Sequence, residues 1–419
     1  MVTIEAEEAK QIDFPDGGRE AWLVVAGAWS CSFVSWGYVN AFGVLAEYYL
    51  RTILADKTSS EVAWISSLQY CLIFAVGLFT GRLFDMGYFR PTILVGMVLW
   101  VFTQMMTSLC KEYWQFILAQ GFGLGISFGI VFSLSVAVPA QWFSRRRATA
   151  FGILATGSSM GGVIFPIMIN KLLPQVGFGW TMRIVGFIGV GMLTFSWFTL
   201  KTRLPPSIDV KAVGWKNVRF FDPAAFKMPA FTFFCLGSTL VLFGLYTPFT
   251  YIDIWTSRRS LPIPGYYLSI LNAASIFGRI IPGILADHIG RMNCLLPMLW
   301  LSAVFVFIFP LCDSIGALIV FSILFGFSTG AYVSLIPASV AQLGPTASYG
   351  TRLGMLFMAM SIGGLLGTPI SGAILGDGQG DAEWWKTMGY AGAMVVGGCV
   401  SITVARQLAL KSWKPWGKI

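Results

Sequence analysis

"SIFGRIIPGILAD", residues 275–287, is an apolar run with a cation in its middle and an acid at its end. No charged residue occurs from Ser260 to Gly278 or from Ile280 to Ala286, and Arg279 stands between the two stretches. The closing "GILAD" (283–287) has a counterpart in "GRLFD" (81–85), which places Asp287 202 residues after Asp85. The same offset of 202 links Gly152 with Gly354, Gly161 with Gly363, Gly162 with Gly364 and Cys110 with Cys312. One such match is chance. Several at one offset, in matching apolar runs, describe a duplicated unit.

The unit is a set of membrane spans. A spanning helix needs about 20 apolar residues. Such runs fall at 22–46, 62–84, 91–110, 114–138, 148–171, 183–201, 229–251, 265–287, 294–312, 316–340, 350–375 and 386–406. The longest polar interruption, 201–227, divides six from six. The expected fold is an all-α integral membrane protein of twelve transmembrane helices in two six-helix pseudo-symmetric halves. It comprises an N-terminal tail at 1–21, a first half at 22–201, a central loop at 202–228, a second half at 229–406 and a C-terminal tail at 407–419. Parallel six-span halves are a transporter architecture, with the site between them near the midplane.

Composition agrees. Of 419 residues, 56% are hydrophobic and 11% charged, against about 25% charged in soluble domains. The net charge of +9 sits in short loops between apolar runs, so nucleic-acid binding is not expected. Of the 28 Lys and Arg, nineteen fall on the side of the two termini and eight on the other, with Arg279 inside a span. That excess predicts both termini in the cytoplasm. The seven cysteines mostly lie in apolar runs and read as small hydrophobes. No Asn-x-Ser/Thr sequon occurs, and the start "MVTIEAEEAKQIDFPDGGRE" is neither a cleavable signal nor a transit peptide. The first span is then the internal targeting signal.

Arg279 is the leading site residue, because a cation in hydrocarbon costs about 2.5 kcal/mol or more and normally faces a water-filled cavity. Guanidinium geometry suits a carboxylate. Asn272 and Ser275 precede it on the same helical face. Tyr38 and Asn40 in span one, Tyr70 and Gln69 in span two, and Gln120 in span four are further polar handles. Tyr246 and Tyr332 are similar cases. Each of these alone is better explained as packing between helices than as a ligand contact. The runs "GSSMGG" and "SIGGLLGTP" read as close-packing and hinge material, with Ser158 a candidate for the cavity. "GISFG" (125–129) and "GFSTG" (326–330) match a nucleophile pattern but lie inside spans. The one histidine, His288, sits at a membrane edge, so a hydrolase is not expected. No residue spacing suggests a metal site, and no cofactor is expected.

"GRLFDMGYFR" (81–90) and "GILADHIGRM" (283–292) resemble the loop signature of the major facilitator superfamily, after spans two and eight. The second copy, with Gly283, Asp287, Gly290 and Arg291, fits better; Gly87 in the first comes one residue early. "DGGREAW" (16–22) and "WFSRRRATAFGILATGSSMGG" (142–162) resemble signatures of the monocarboxylate-porter branch in a fungal form. Proton-linked members of that branch carry a lysine in span one, which "GYVNAFGV" (37–44) lacks, and an Asp where Ser275 stands. Many antiporters of the superfamily carry an Arg where Ile117 stands. The resemblance implies a gate on the cytoplasmic side built from Asp85, Arg82, Arg90, Arg146, Asp287 and Arg291.

The expected function is secondary active or facilitative transport of a small organic molecule, an organic acid or secondary metabolite and by preference an exported one, by alternating access. Alternatives are a proton-coupled monocarboxylate or vitamin uptake carrier and, from another class, a non-transporting solute sensor. The expected substrate is anionic, the partner is the lipid bilayer, the state is a monomer, and the location is the plasma membrane. Catalytic residues are not expected.

Overall fold

The computed structural model describes residues 14–206, 223–261, 266–344, 348–376, 380–411 and 417. Of the polar segments expected at 1–21, 202–228 and 407–419, residues 1–13, 207–222, 412–416, 418 and 419 lie outside that part. Every regular element among the described residues is helical. Eleven of these helices are long and apolar enough to cross a membrane.

The longest, Arg147–Thr199, is two spans joined at Gly177, whose φ of 72° and ψ of 173° are non-helical. We number the spans α1 (Gly18–Ile53), α2 (Glu61–Asp85), α3 (Phe89–Thr107), α4 (Tyr113–Gln141), α5 (147–176) and α6 (178–199) in the first half. The second half holds α7 (Pro229–Arg258), α8 (Tyr266–Ile289), α9 (Arg291–Leu311), α10 (Ile315–Val340), α11 (Tyr349–Leu375) and α12 (Asp381–Leu410). The twelve expected runs are all present. Their ends differ: α1 and α12 run longer, and no polar loop separates α5 from α6. Helix continues through 172–182 except at Gly177, because a glycine at positive φ turns the chain where a side chain would be strained.

Local chemistry sets several ends. Thr58 Oγ1 accepts from Glu61 N at 3.2 Å while Glu61 Oε2 accepts from Thr58 N at 2.8 Å, a reciprocal cap before α2. Ser314 Oγ accepts from Ala317 N at 3.2 Å at the start of α10. Gly87 (φ 82°) and Gly290 (φ 106°) break α2 from α3 and α8 from α9.

Exposed Val95, Val98, Phe102, Phe187 and Phe198 cover the outside of α3 and α6, as lipid-facing surfaces do. Exposed Trp114, Trp180, Tyr266 and Trp385 stand at the starts of α4, α6, α8 and α12, the depth of an interfacial aromatic belt. All seven cysteines are free thiols.

Both described ends reach one face, called here the terminal face. Asp16 Oδ1 accepts from the backbone N–H groups of Ser144, Arg145 and Arg146, at 2.7, 2.7 and 3.2 Å. Gly417 O accepts from Asn293 Nδ2 at 3.0 Å. The halves meet along α2 against α11 and α5 against α8. Small residues make both seams. A Cβ on Gly350 would lie 2.6 Å from Gly81 O, and one on Gly283 would lie 2.9 Å from Ala148 O. Within the halves, a Cβ on Gly161 would lie 2.6 Å from Gly37 Cα, and one on Gly363 would lie 2.7 Å from Thr239 O. The glycine runs of α5 and α11 are thus packing surfaces that let backbones touch.

Candidate functional site

A cavity lies between the halves, lined by Trp36 and Asn40 of α1, Ser158 of α5, Tyr246 and Phe249 of α7, and Asn272, Ser275 and Arg279 of α8, with Thr329 and Val333 of α10. The stripe Asn272–Ser275–Arg279 faces it because residues three, four and seven apart share one helix face. Arg279 is 6% exposed and sits about 12 Å along α8 from Asp287. Its Nη1 donates across the seam to Ala155 O and Ser158 Oγ of α5. Its Nε has no hydrogen-bond partner among the described residues. Among the described residues no carboxylate pairs with it, and no carboxylate or imidazole lines the cavity.

Ser275 also crosses the seam, with Ser159 Oγ at 2.6 Å. Asn272 Nδ2 donates to Leu268 O at 3.0 Å. Asn40 and Asn272 meet over Gly162: a Cβ there would stand 3.1 Å from Asn40 Nδ2 and 3.0 Å from Asn272 Oδ1. The cavity is about 20 Å³, when one water needs ~10–15 Å³ by the same measure. An organic substrate therefore enters only when the halves part. A larger space of about 370 Å³ lies outside α3 and α4 among Phe102, Met106, Leu109, Trp114 and Leu118. No charged residue is among its lining and it lies away from the seam between the halves, so it is not the candidate site.

The other expected handles fall elsewhere. Tyr38 is buried inside the first half, its hydroxyl 3.7 Å from Met182 Sδ. Gln120 Oε1 accepts from Tyr49 OH at 2.7 Å in the same interior, and Gln69 Nε2 donates to Gln120 O at 2.9 Å. Tyr332 OH donates to Ser238 O at 3.0 Å. Tyr70 borders the cavity through its rings' neighbours, 5.9 Å from both Trp36 and Tyr246.

Toward the terminal face the seams are locked twice. Asp85 Oδ2 accepts from Thr351 N at 2.8 Å and Thr351 Oγ1 at 2.5 Å, at the start of α11. Asp287 accepts from Ala148 N and Thr149 N at 2.9 Å each and from Thr149 Oγ1 at 2.6 Å, at the start of α5. Thr351 follows Thr149 by 202 residues, the repeat offset again. A helix N-terminus leaves N–H groups unpaired and carries positive potential, so each acid from one half caps a helix of the other.

Arg82 Nη1 donates to Thr351 Oγ1 at 3.3 Å, and Arg291 Nη2 donates to Ser144 O at 2.9 Å, both across the halves. Arg90 does not cross: it donates to Trp197 O at 2.6 Å and lies over the Trp197 ring. Arg146 has an exposed side chain; its neighbour Arg147 is the buried one, donating to Phe143 O and Ala140 O at 2.7 and 3.0 Å. Above the locks, Phe357 of α11 packs on Phe74 and Phe132 at 5.5 and 5.8 Å. The hydrogen bonds and rings that join the halves thus run from the cavity to the terminal face.

A family model described as Major Facilitator Superfamily matches residues 28–368 and again 260–410. The chain belongs to the major facilitator superfamily. It is 40% identical over 94% of its length to the MFS transporter asaE of Aspergillus flavus, covering 88% of that protein. It is 40% identical to the aspyridones efflux protein apdF of Emericella nidulans, over 87% of this chain and 74% of that one. It is 38% identical to the fujikurins efflux protein of Gibberella fujikuroi, over 96% and 86%. The crystal structure of the human organic anion transporter MFSD10 (TETRAN) shares the fold with a TM-score of 0.74 at 15% identity, over 92% of this chain and 100% of that one. The protein is a multi-pass integral membrane transporter of a small organic molecule.

Proposed function

We propose that this transporter exports an organic anion of the secondary-metabolite class from the cytoplasm across the plasma membrane. The observation that carries the reading is Arg279, a buried cation that lines the cavity between the halves and has no carboxylate partner among the described residues. A desolvated guanidinium with a free N–H favours a ligand that brings negative charge. Relatives at 40% and 38% identity are named as efflux proteins for aspyridones and fujikurins, which supports export.

The functional units in this reading are the halves 22–201 and 229–406, joined by the loop 202–228, in a monomer of the monocarboxylate-porter-like branch. The charge bias of the loops makes the terminal face cytoplasmic. The two acid caps then close the cytoplasmic gate, and substrate crosses as the halves rock between cytoplasm-open and outside-open forms. Asn272, Ser275 and Asn40 orient the substrate beside Arg279. Among the described residues no carboxylate or imidazole lines the cavity, so transport is not obligatorily coupled to protons.

The test is counterflow in proteoliposomes against a panel of organic acids and matched neutral compounds, with and without a pH gradient. Exchange of acids in preference to their neutral amides is expected, for a non-titratable sulfonate without help from the gradient. Exchange confined to neutral compounds would overturn the reading.

A further inference from the structure

Trp36 of α1 and Tyr246 of α7 face each other across the two halves, with ring centroids 6.2 Å apart and planes 15° from parallel. Both line the cavity. Tyr70 stands 5.9 Å from both rings, and Phe249 stands 5.4 Å from Tyr246. Trp36 Nε1 and Arg279 Nε are both buried, and among the described residues neither has a hydrogen-bond partner. An unmade buried hydrogen bond is costly. Both unpaired donors belong to residues that line the same cavity as the ring pair, where a guest with acceptor oxygens can reach them.

We propose that Trp36 and Tyr246 form a slot for a flat, conjugated substrate, whose acceptor oxygens meet Trp36 N–H and the Arg279 guanidinium at the rim. The proposal rests on the reading of the central cavity as the substrate site and adds the shape of what binds there. A flat ring between two faces needs about 7–8 Å, two carbon contacts of ~3.5–4.0 Å. The pair stands closer than that. The rings belong to different halves, so tilting one half against the other widens the slot while each ring keeps its neighbours in its own half. Shape is thereby linked to conformation: a flat guest fills the slot and holds the halves apart at this level. A saturated body of the same charge is thicker and offers no π face to either ring.

The experiment is isothermal titration of the purified full chain in nanodiscs with 2-naphthoate and with decahydro-2-naphthoate. The flat acid is expected to bind about tenfold more tightly, ~1.4 kcal/mol, the scale of one or two aromatic pairs. Trp36→Leu and Tyr246→Leu, one in each half, should each cut that preference below about threefold. Trp36→Phe should keep the preference but weaken both acids, because the ring stays and the donor goes. Monodisperse elution and a cooperative melt show that a variant is folded, and either leucine variant alone carries the test. Equal affinities in the wild type, no heat from either acid, or a preference that survives the leucine substitution would overturn the slot. If the preference is absent while Arg279→Ala still weakens both acids, the slot fails and the cavity reading stands. If Arg279→Ala leaves both unchanged, the cavity reading fails too.

Discussion

Replacing Asp287 by Asn should loosen the terminal face by a calculable amount. The carboxylate accepts three hydrogen bonds from Ala148 and Thr149, at 2.9, 2.9 and 2.6 Å. The amide keeps one acceptor oxygen and turns an NH2 group toward N–H donors. Hydrogen bonds to a charged group contribute about 1.5–3 kcal/mol each against ~0.5–1.5 for neutral ones, and a helix N-terminus adds about 0.3–1. Asp287 is half-buried, so the low end applies, about 2 kcal/mol or a factor of roughly 30. The contact exists only when the terminal face is closed, so the loss falls on that conformation alone. A closed-to-open ratio of about 99:1 would become about 3:1. Asp85 accepts from Thr351 N and Oγ1 in the equivalent place, and Asp85→Asn should shift the ratio in the same direction. The assay is a pulsed electron-spin distance measurement between labels at Arg145→Cys and His288→Cys, exposed positions on the two halves, in a background without the seven native cysteines. A second, longer distance should appear in both Asn variants. Distributions unchanged from the parent in both would refute the caps as a conformational lock.

Two further outcomes follow from the same face. Gly350→Ala places a Cβ 2.6 Å from Asp85 Oδ1 and from Gly81 O, so overpacking of about 1–3 kcal/mol should lower transport roughly tenfold while membrane insertion, read by fractionation, stays normal. Asp16→Asn removes the charge that holds three N–H groups of the 144–146 turn. It should lower thermal stability by about 1–2 kcal/mol, seen as an earlier melt by scanning fluorimetry. An unchanged melt would make that contact incidental.

The spans were legible because lipid demands long apolar runs, and the 202-residue offset revealed the halves before any helix was placed. The same offset located both acid caps, since Asp85 and Asp287 sit at equivalent helix ends. What they bind was harder to read: Thr149 and Thr351 are ordinary residues until a helix start from the other half is brought to each acid. The Asn272–Ser275–Arg279 stripe was visible through helical period. Trp36, Tyr246 and Phe249 were not singled out as a wall, because aromatics are common in spans and only packing between halves assembles them. Tyr38 and Gln120 show the converse, polar residues satisfied inside one half. Among the basic residues of the 145–147 run, sequence favoured Arg146. The helix start turns Arg147 inward onto Phe143 O and Ala140 O and leaves the Arg146 side chain exposed, a difference in register that no charge count resolves. The turn from α5 to α6 was not legible as a point, because a single glycine at φ 72° makes it.

The central claim is that Arg279 holds the substrate's negative group in the cavity between the halves. The most direct measurement is the counterflow rate of a transported organic acid in proteoliposomes carrying equal amounts of wild type, Arg279→Ala and Arg279→Lys, each shown to be monodisperse. The account predicts a loss of about 30-fold or more in the alanine variant, the worth of at least ~2 kcal/mol of charged hydrogen bonding. It predicts little rescue by lysine, whose point charge lacks the planar fork. Wild-type rates in Arg279→Ala would contradict it.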